Sequence, residues 1–408
     1  MRGSTTARAT SPGPAPTGGG SSRRHRSDGA PSWASVTLSI GPLSVDPPVV
    51  LAPMAGVTDA PFRVLCAEHG GGLYVSEMLT ARGLVEGGER SWAMARHHPA
   101  EAPRSLQLYG SDPPVMGEAV RRLVAAGAVD HIDLNFGCPV AKITRAGGGA
   151  ALPFKRRLLT AMVRAAVTNA GTVPVTVKMR LGLDDDRLTY LESGRIAADE
   201  GVAAIALHAR TAEQGYAGFA DWSTIARLRE AVGDHVPVLG NGDIWAAQDA
   251  IDLVEATGCD GVVVGRGCLG RPWLFADLQR AFAGQPPLGP PELGTVATTI
   301  RRHLSLALDW YGDEAGTLRQ FRKHLRWHLQ GYPVGADVHK SAGQVETAAD
   351  VDALVERLDP GLRVVPEAVA APRGKTGKAG RLVLPHGWCD DPDEEPAVRE
   401  PERAVSGG

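Results

Sequence analysis

The chain of 408 residues is long enough for one large domain and one smaller domain. Apolar residues make up 43% and charged residues 22%, as in ordinary globular proteins, and no apolar run approaches the roughly 18 residues of a membrane span. The formal net charge of −3 excludes a general attraction to nucleic acid, so RNA binding would need a local basic patch.

The cysteines are scattered and form no C-x-x-C pair: they are Cys66, Cys138, Cys259, Cys268 and Cys389. This odd number without regular spacing argues against a disulfide framework and a zinc site and favours a reducing compartment. No apolar stretch follows Arg2, so the sequence carries no secretory signal. We therefore expect a cytoplasmic, monomeric protein without metal or membrane partners.

Residues 1–34 are rich in Gly, Pro, Ser and Thr and contain the basic cluster Arg23-Arg24-His25-Arg26. This composition predicts a disordered N-terminal tail, because too little apolar surface is present to offset the entropy of ordering. The cluster could touch RNA, but a solvated tail is the favoured interpretation.

Residues 35–290 alternate short apolar runs with helical patterns. A predicted hairpin at 36–45 leads into the first run and closes the bottom of the fold. Bounded runs of this length are typical of strands buried on both faces. Eight βα units predict a (β/α)8 TIM barrel, with a doubly wound open sheet as the alternative. The runs are 49–52, 73–75, 105–108, 132–134, 175–178, 204–207, 236–239 and 262–264.

After the barrel, residues 291–366 have the spacing of long helices, such as Ile300, Leu304, Leu308 and Tyr311, and predict a small all-helical C-terminal domain. Residues 367–408 are rich in Pro, first basic and then acidic, and predict a disordered C-terminal tail.

In a barrel, catalytic residues follow the carboxyl ends of the strands. The last two strands end in glycine-rich segments, which contain Asn241, Gly242 and Asp243 after strand seven and Gly265 and Arg266 after strand eight. Glycine lets backbone N–H groups approach an anion closely, so these loops predict a phosphate site, with plain turns as the alternative.

Two further residues at strand ends carry chemistry. Lys178 ends a buried strand and needs an anionic partner, which a reduced flavin or a barrel carboxylate such as Asp133 would supply. Cys138 stands between a glycine and a proline at the end of strand four. It could be an inert core residue, a nucleophile or a proton donor; with no evident neighbouring base, a protonated thiol suits a general acid.

Together these segments resemble the tRNA-dihydrouridine synthase family from about residue 49 to 358. The resemblance rests on the order and spacing of six segments: 52–59 (APMAGVTD), 135–139 (NFGCP) with Lys142, 177–180 (VKMR), 208–211 (HART), 241–244 (NGDI), and 265–267 (GRG) with 270–273 (GRPW).

The resemblance implies an enzyme that uses FMN and NADPH to reduce the C5=C6 bond of tRNA uridines. It assigns Pro53, Met54, Ala55 and Gln107 to the isoalloxazine ring, and Lys178 and His208 to its pyrimidine side. The segments at 241–243 and 265–266 would hold the phosphate. Cys138 would donate the proton to C5, and Asn135 would contact the uracil, which must leave the tRNA stack.

A tRNA substrate requires a basic surface, and the helical domain supplies one in its second helix, where Arg322 and Lys323 are the candidate contacts. We assign His324 and His328 to the same basic face. The alternative is a face that is charged only because it is exposed to solvent. Lys142, Arg180 and Arg210 would continue the track near the barrel mouth.

Two other functions remain open from the sequence. A flavin barrel acting on a free pyrimidine would not need a basic helical domain. A tRNA-binding module that keeps FMN only as structure would not let NADPH bleach its flavin.

Overall fold

The computed structural model describes residues 37–377, 380 and 382–394; the predicted N-terminal tail, 1–34, lies outside them. Eight parallel strands close into a barrel in the order β10-β3-β4-β5-β6-β7-β8-β9. This confirms the TIM barrel and excludes the open sheet. The strands are β1 Leu38–Ile40, β2 Leu43–Val45, β3 Val49–Leu51, β4 Leu73–Thr80, β5 Ser105–Tyr109, β6 His131–Phe136, β7 Val175–Arg180, β8 Ala204–His208, β9 Val238–Asn241 and β10 Gly261–Val264.

The hairpin of β1 and β2 fills the barrel from the amino-terminal ends of its strands. Leu38, Ile40 and Val45 share a core cluster with Val50 and Leu73, at the start of β3 and β4. A parallel barrel is otherwise open at this end, so the hairpin removes apolar side chains from water and leaves the opposite end for the site.

Helices cover the outside of the barrel, and capping residues mark where they begin and end. For example, Asp112 accepts a hydrogen bond from the backbone N–H of Val115 at the start of α4, and Gly127, with φ of 56°, follows its end. The helices of this region are α1 Ala60–Ala67, α2 Ala81–Val85, α3 Glu89–Met94, α4 Pro113–Ala125, α5 Ala141–Thr144, α6 Arg156–Ala170, α7 Tyr190–Asp199, α8 Ser223–Val232, α9 Ala247–Thr257 and α10 Leu274–Phe282.

The chain continues into a helical region with its own apolar core. Leu304, Phe321, Leu325 and Leu354 belong to this core, separate from that of the barrel. The four helices are α11 Leu293–Tyr311, α12 Glu314–Leu329, α13 Ala336–Ala342 and α14 Ala348–Glu356. None of the helices in the described ranges is long and apolar enough to cross a membrane.

The described part of the predicted disordered tail, within 367–408, packs against the rest of the protein. Arg373 and Trp388 are only 2% and 4% exposed, and Lys155 of the barrel bonds to Asp391 and Glu394. Composition suggested disorder because this stretch is rich in Pro and carries a basic and then an acidic run. The described part of this segment is ordered because its Arg373 and Trp388 side chains are buried and because Lys155 binds it.

Candidate active site

The cysteine loop, residues 137–151, follows β6 and is held by its own backbone and by a neighbouring side chain. The Asn135 Oδ1 accepts hydrogen bonds from the backbone N–H groups of Gly137, at 3.1 Å, and Cys138, at 2.9 Å. The Cys138 carbonyl accepts one from Ala150 at 3.0 Å. Gly149, with φ of 56°, leaves no room for a Cβ, which would lie 2.5 Å from that carbonyl oxygen. The position of Cys138 is therefore closely defined.

Cys138 is half-buried at the barrel mouth. Burial raises its pKa, and this effect outweighs the backbone hydrogen bond to Val140 and the charges of Arg180 and Lys178, which lower it. The thiol is therefore protonated at neutral pH, as a proton donor must be.

A chain of polar side chains runs from the cysteine loop into the barrel. Asn135 donates to Gln107 at 2.8 Å, and Gln107 donates to Asp133 at 2.6 Å. Asp133 also accepts from Thr176 at 2.6 Å, and Thr176 lies 3.0 Å from His131. Burial raises the pKa of Asp133 to about 6 and lowers that of His131 to about 3. Each of these buried groups has a partner, so the series of hydrogen bonds fixes the side chains of Gln107 and Asn135.

Lys178, His208 and Asn241 lie on neighbouring strands, where the register pairs His208 with Asn241. The Lys178 Nζ donates to the Asn241 Oδ1 at 3.1 Å. The negative charge of Asp133 raises the pKa of Lys178. Burial and the positive charge of Arg180 outweigh this effect and lower that pKa to about 8. Burial and nearby cations lower the pKa of His208 well below its usual range. The site thus offers one cation without a bound carboxylate and one neutral imidazole.

The loop after β9 has the features of an anion site. Gly242, with φ of 134°, has no space for a side chain, because a Cβ would lie 2.6 Å from the Ala220 Cβ. The same point is 3.8 Å from the Arg210 Nη1, which is buried and has no hydrogen-bond partner among the described residues. A buried, unsatisfied guanidinium N–H costs free energy unless an acceptor occupies this space.

The carboxylate of Asp243 is occupied by hydrogen bonds and is not available to this space. Both its carboxylate oxygens accept from the Arg210 Nη2 at 2.7 Å, and Oδ2 also accepts from the Ala220 N–H. Its φ of 56° places it in the left-handed region, so its backbone shapes the turn. Asp243 can therefore contribute to an anion site through the backbone, with its carboxylate orienting Arg210.

Arg266 completes the anion site from the loop after β10. Its guanidinium stacks on the rings of Tyr216, at 4.1 Å, and Trp245, at 4.8 Å. It also lies 3.8 Å from Asp243 and donates to the Lys375 carbonyl at 2.6 Å. A Cβ at Gly265 would approach the Met54 sulfur at 3.9 Å, so the two predicted cofactor loops are in contact range.

The loop after β3 carries Pro53, Met54 and Ala55, which are half-buried or exposed at the mouth. Thr58 fixes the loop by accepting from the Met54 N–H at 2.9 Å. Glu77, absent from the sequence prediction, accepts from the Gly56 N–H at 2.8 Å.

The helical region reaches the same loop: the Lys323 Nζ lies 3.5 Å from where a Cβ of Gly56 would stand. Burial lowers the pKa of Lys323, while Asp59 and Glu77 act against this shift. One predicted tRNA contact is thus adjacent to the barrel mouth.

Two of the predicted tRNA-binding arginines are buried instead. Arg180 is 5% exposed and donates to the carbonyls of Gly137, Thr211 and Gly215, so it fixes loops. Arg210 is 1% exposed and belongs to the anion site. Strand position alone could not separate these roles, because both arginines lie at the ends of strands that face the mouth.

The remaining predicted contacts lie outside the barrel interior. Lys142 is exposed on the cysteine loop. Arg322 is half-buried and donates to the Val345 carbonyl at 2.8 Å.

His324 and His328 do not lie on the basic face of α12: they are 4% and 1% exposed, and burial lowers their pKa values. Their inclusion in that face was wrong.

Three residues of the site were not predicted from the sequence: Tyr216 and Trp245, which hold Arg266, and Glu77. Nothing in their spacing distinguishes them from core aromatics or surface carboxylates. Within the described ranges, no group of three or more His, Cys, Asp or Glu side chains is arranged to hold a metal ion.

The fold and site together define a parallel (β/α)8 barrel with an anion site after its last two strands and a protonated thiol after its fourth. The same fold occurs in histamine dehydrogenase from Rhizobium sp. 4-9, which is 12% identical and aligns with a TM-score of 0.50 over 80% of this chain and 65% of that one. At this identity the likeness concerns the fold alone.

Sequence comparison identifies the family. Residues 50–360 match the family model of the dihydrouridine synthases. The probable tRNA-dihydrouridine synthase of Mycobacterium tuberculosis (strain H37Rv) is 50% identical over 92% of this chain and 97% of its own. The tRNA-dihydrouridine synthase B of Xanthomonas axonopodis pv. citri (strain 306) is 41% identical over 76% and 92%. The chain belongs to the dihydrouridine synthase family, a family of oxidoreductases acting on tRNA uridines, which confirms the resemblance.

Membership of this family implies a flavin cofactor. The site fits such a group on its own evidence: a buried Arg210 Nη1 without an acceptor, a Gly242 where no Cβ can stand, and a Lys178 ammonium without a bound carboxylate. An anionic phosphate and an electron-rich ring would satisfy these groups.

Proposed function

We propose that the protein reduces the C5=C6 bond of a tRNA uridine to 5,6-dihydrouridine, with FMN as the bound cofactor and NADPH as the reductant. The observation that carries the proposal is the Cys138 thiol, which is kept protonated by burial on a fixed loop at the mouth of a barrel that also holds an anion site.

The residues that would hold FMN form two groups. Arg210, Arg266 and the backbone at Gly242, Asp243 and Gly265 suit the phosphate, since they offer cations and close backbone approach. Pro53, Met54, Ala55 and Gln107 suit the ring, and Lys178 and His208 its pyrimidine side, where a cation stabilises negative charge. When bound, the flavin supplies a hydride to C6 of the uracil.

Protonation of the uracil at C5 is the step that a residue of this protein, Cys138, carries out. The Cys138 Sγ–H bond breaks, its proton goes to C5, and the uracil enolate becomes neutral. The thiolate left behind is stabilised by the backbone hydrogen bond to Val140 and the charges of Arg180 and Lys178. Because Cys138 is half-buried at the barrel mouth and not enclosed in the core, solvent can return a proton after product release. Since the acid form is required, product formation falls as pH rises through the thiol pKa.

Asn135 has less freedom than a substrate contact would need. Its Oδ1 is occupied by two backbone N–H groups of the cysteine loop, and its Nδ2 by Gln107 and Met78. We therefore assign Asn135 primarily to positioning Cys138, and only secondarily to the predicted uracil contact.

The test compares tRNA transcribed in vitro with free uracil, using the purified holoenzyme and NADPH. We expect dihydrouridine in tRNA by mass spectrometry, bleaching of the flavin by NADPH, and little reduction of free uracil. Cys138→Ala should keep its flavin and its reduction by NADPH but lose about 10²- to 10⁴-fold in product formation. Cys389→Ala is the matched control and should behave as the parent.

Three outcomes would contradict the proposal. Equal reduction of free uracil would indicate an enzyme of free pyrimidines. A flavin that NADPH does not bleach would indicate a binding module. Unchanged product formation by Cys138→Ala would remove the assigned role of the thiol.

A further inference from the structure

The C-terminal strap, defined as residues 369–377 and 382–394, lies outside the segment that matches the family model, which ends at residue 360. Its first part is anchored beside the anion site. The Arg373 guanidinium donates to the carbonyls of Leu269 and Gln330, at 3.0 and 2.8 Å, and the Lys375 carbonyl accepts from Arg266. The strap therefore begins at the loop that follows β10.

The second part of the strap contacts the cysteine loop on the opposite side of the barrel, since β6 and β10 are four strands apart in either direction around it. The Val383 carbonyl accepts from the Thr144 hydroxyl at 2.6 Å. The Trp388 indole N–H donates to the Ala151 carbonyl at 3.0 Å. These two contacts attach the strap to the middle and the end of the cysteine loop.

Trp388 is the main apolar contact between strap and loop. It is 4% exposed, and its ring fills the space beside Gly147, where a Cβ would lie 2.5 Å from the indole Cη2. Lys155 is fully buried, with its Nζ 5.4 Å from the ring centre and bonded to the Asp391 carbonyl and the Glu394 carboxylate. The indole therefore sits between the cysteine loop and a buried cation that the strap itself neutralises.

A short path of backbone contacts connects Trp388 to Cys138. The indole fixes Gly147 and Ala151, and the neighbouring residue Ala150 donates its N–H to the Cys138 carbonyl. Gly149, next to Ala150, lies so close to that carbonyl that a Cβ would be 2.5 Å from its oxygen. A displaced indole would thus release the carbonyl side of Cys138, while Asn135 would still hold its N–H side.

We propose that Trp388 is a positioning residue for Cys138, and that the strap, which lies outside the segment that matches the family model, fixes the thiol against the substrate. The proposal rests on the proton-donor role given above. The indole would act by fixing the position of the thiol, since a misplacement of about 1 Å can lower the rate of a reaction about 10²-fold.

The experiment uses full-length holoenzyme with Cys389→Ser, because that thiol adjoins Trp388. Trp388→Ala and Trp388→Phe are compared with Trp92→Ala, a control whose indole also donates to a backbone carbonyl, that of Leu84, elsewhere in the protein. Three rates are measured: alkylation of Cys138 by iodoacetamide, read from its peptide by mass spectrometry; reduction of the flavin by NADPH; and dihydrouridine formation in tRNA.

For Trp388→Ala we expect alkylation of Cys138 to accelerate about tenfold, since the loop opens more easily without the indole. The kcat for tRNA should fall about tenfold, with KM and flavin reduction within about twofold of the parent. Trp388→Phe should recover part of the kcat because it keeps the ring and loses only the N–H. Trp92→Ala should match the parent in all three rates.

An unchanged alkylation rate in Trp388→Ala would overturn the positioning role. So would a fall in flavin reduction that parallels the fall in kcat, because a general loss of structure would then explain both. Failure of the proton-donor role is distinguishable: Cys138→Ala would still form product, while the alkylation rate in Trp388→Ala would still report whether the strap positions the loop.

Discussion

At the scale of single residues, burial decides what each charged group can do. Arg180 ends β7 and Arg210 follows β8, both at the mouth. Asp243 orients Arg210 in the anion site, whereas Arg180 fixes loops through backbone carbonyls. Cys138 is useful as an acid because burial outweighs the cations near it. The residue types could be predicted, but their solvent exposure depended on neighbours far apart in the chain.

Replacement of Arg210 should weaken FMN binding. Arg210→Gln removes the unpartnered Nη1 and a charged hydrogen-bond donor, which is worth about 1.5–3 kcal/mol, so we expect an affinity at least tenfold lower. The flavin-to-protein absorbance ratio after desalting measures this. Arg187→Gln, which breaks an exposed ion pair with Asp184, is the control.

Because Arg210→Gln removes the nearest charged partner of the Asp243 carboxylate, a second variant guards against a failure of the first to fold. The double variant Arg210→Gln with Asp243→Asn removes that charge and keeps the test interpretable. Full flavin content in a folded double variant would contradict the assignment of Arg210 to the phosphate.

At the scale of elements, the helix α12 shows what periodicity can and cannot decide. Phe321, His324, Leu325 and His328 are buried, so the two histidines belong to the apolar stripe, with the spacing that packs one face of a helix. Their charge suggested the basic face, but their spacing places them on the apolar one. Arg322 and Lys323, in contrast, remain at least partly accessible.

If α12 contacts tRNA, replacing Arg322 and Lys323 together by Ala should weaken binding and reduce the slope of log K against log salt by about 2, one for each lost phosphate contact. Binding is measured by filter retention at several salt concentrations. Arg301→Ala is the matched control, since Arg301, on α11, is already paired with Asp352 of α14. An unchanged slope in the double variant would show that this face is only solvated.

At the scale of the whole molecule, a group of buried histidines joins the helical region to the barrel. His303 lies 3.2 Å from His328, whose other ring nitrogen lies 3.0 Å from the Gly270 carbonyl, and Phe62 of α1 packs on His303 and His324. Burial lowers the pKa of all three histidines, that of His328 to about 4. The junction is therefore stable only with neutral rings.

We expect acid to destabilise this junction. Because the folded-state pKa lies below the unfolded value of about 6.5, the stabilisation is present above pH 6.5 and is lost as pH falls toward 4, by about 2 kcal/mol at pH 5 for His328. Urea unfolding at pH 7.5 and 5 measures it.

His328→Gln should flatten this pH dependence, whereas His235→Gln, at an exposed position, should not. The comparison with the parent is needed because Asp133, whose pKa is raised to about 6, shifts stability in the opposite direction over the same range. Equal slopes for His328→Gln and the parent would contradict the role of His328.

The sequence by itself determined the barrel, the helical region and the family, because strand runs, helix spacing and strand-end segments are local patterns. Only the tertiary structure decided that Arg210 is buried with Asp243, that the histidines of α12 face the barrel, and that the strap reaches Cys138 through Trp388. These features depend on contacts between residues up to about 240 positions apart, such as Trp388 with Ala151, which no local pattern encodes.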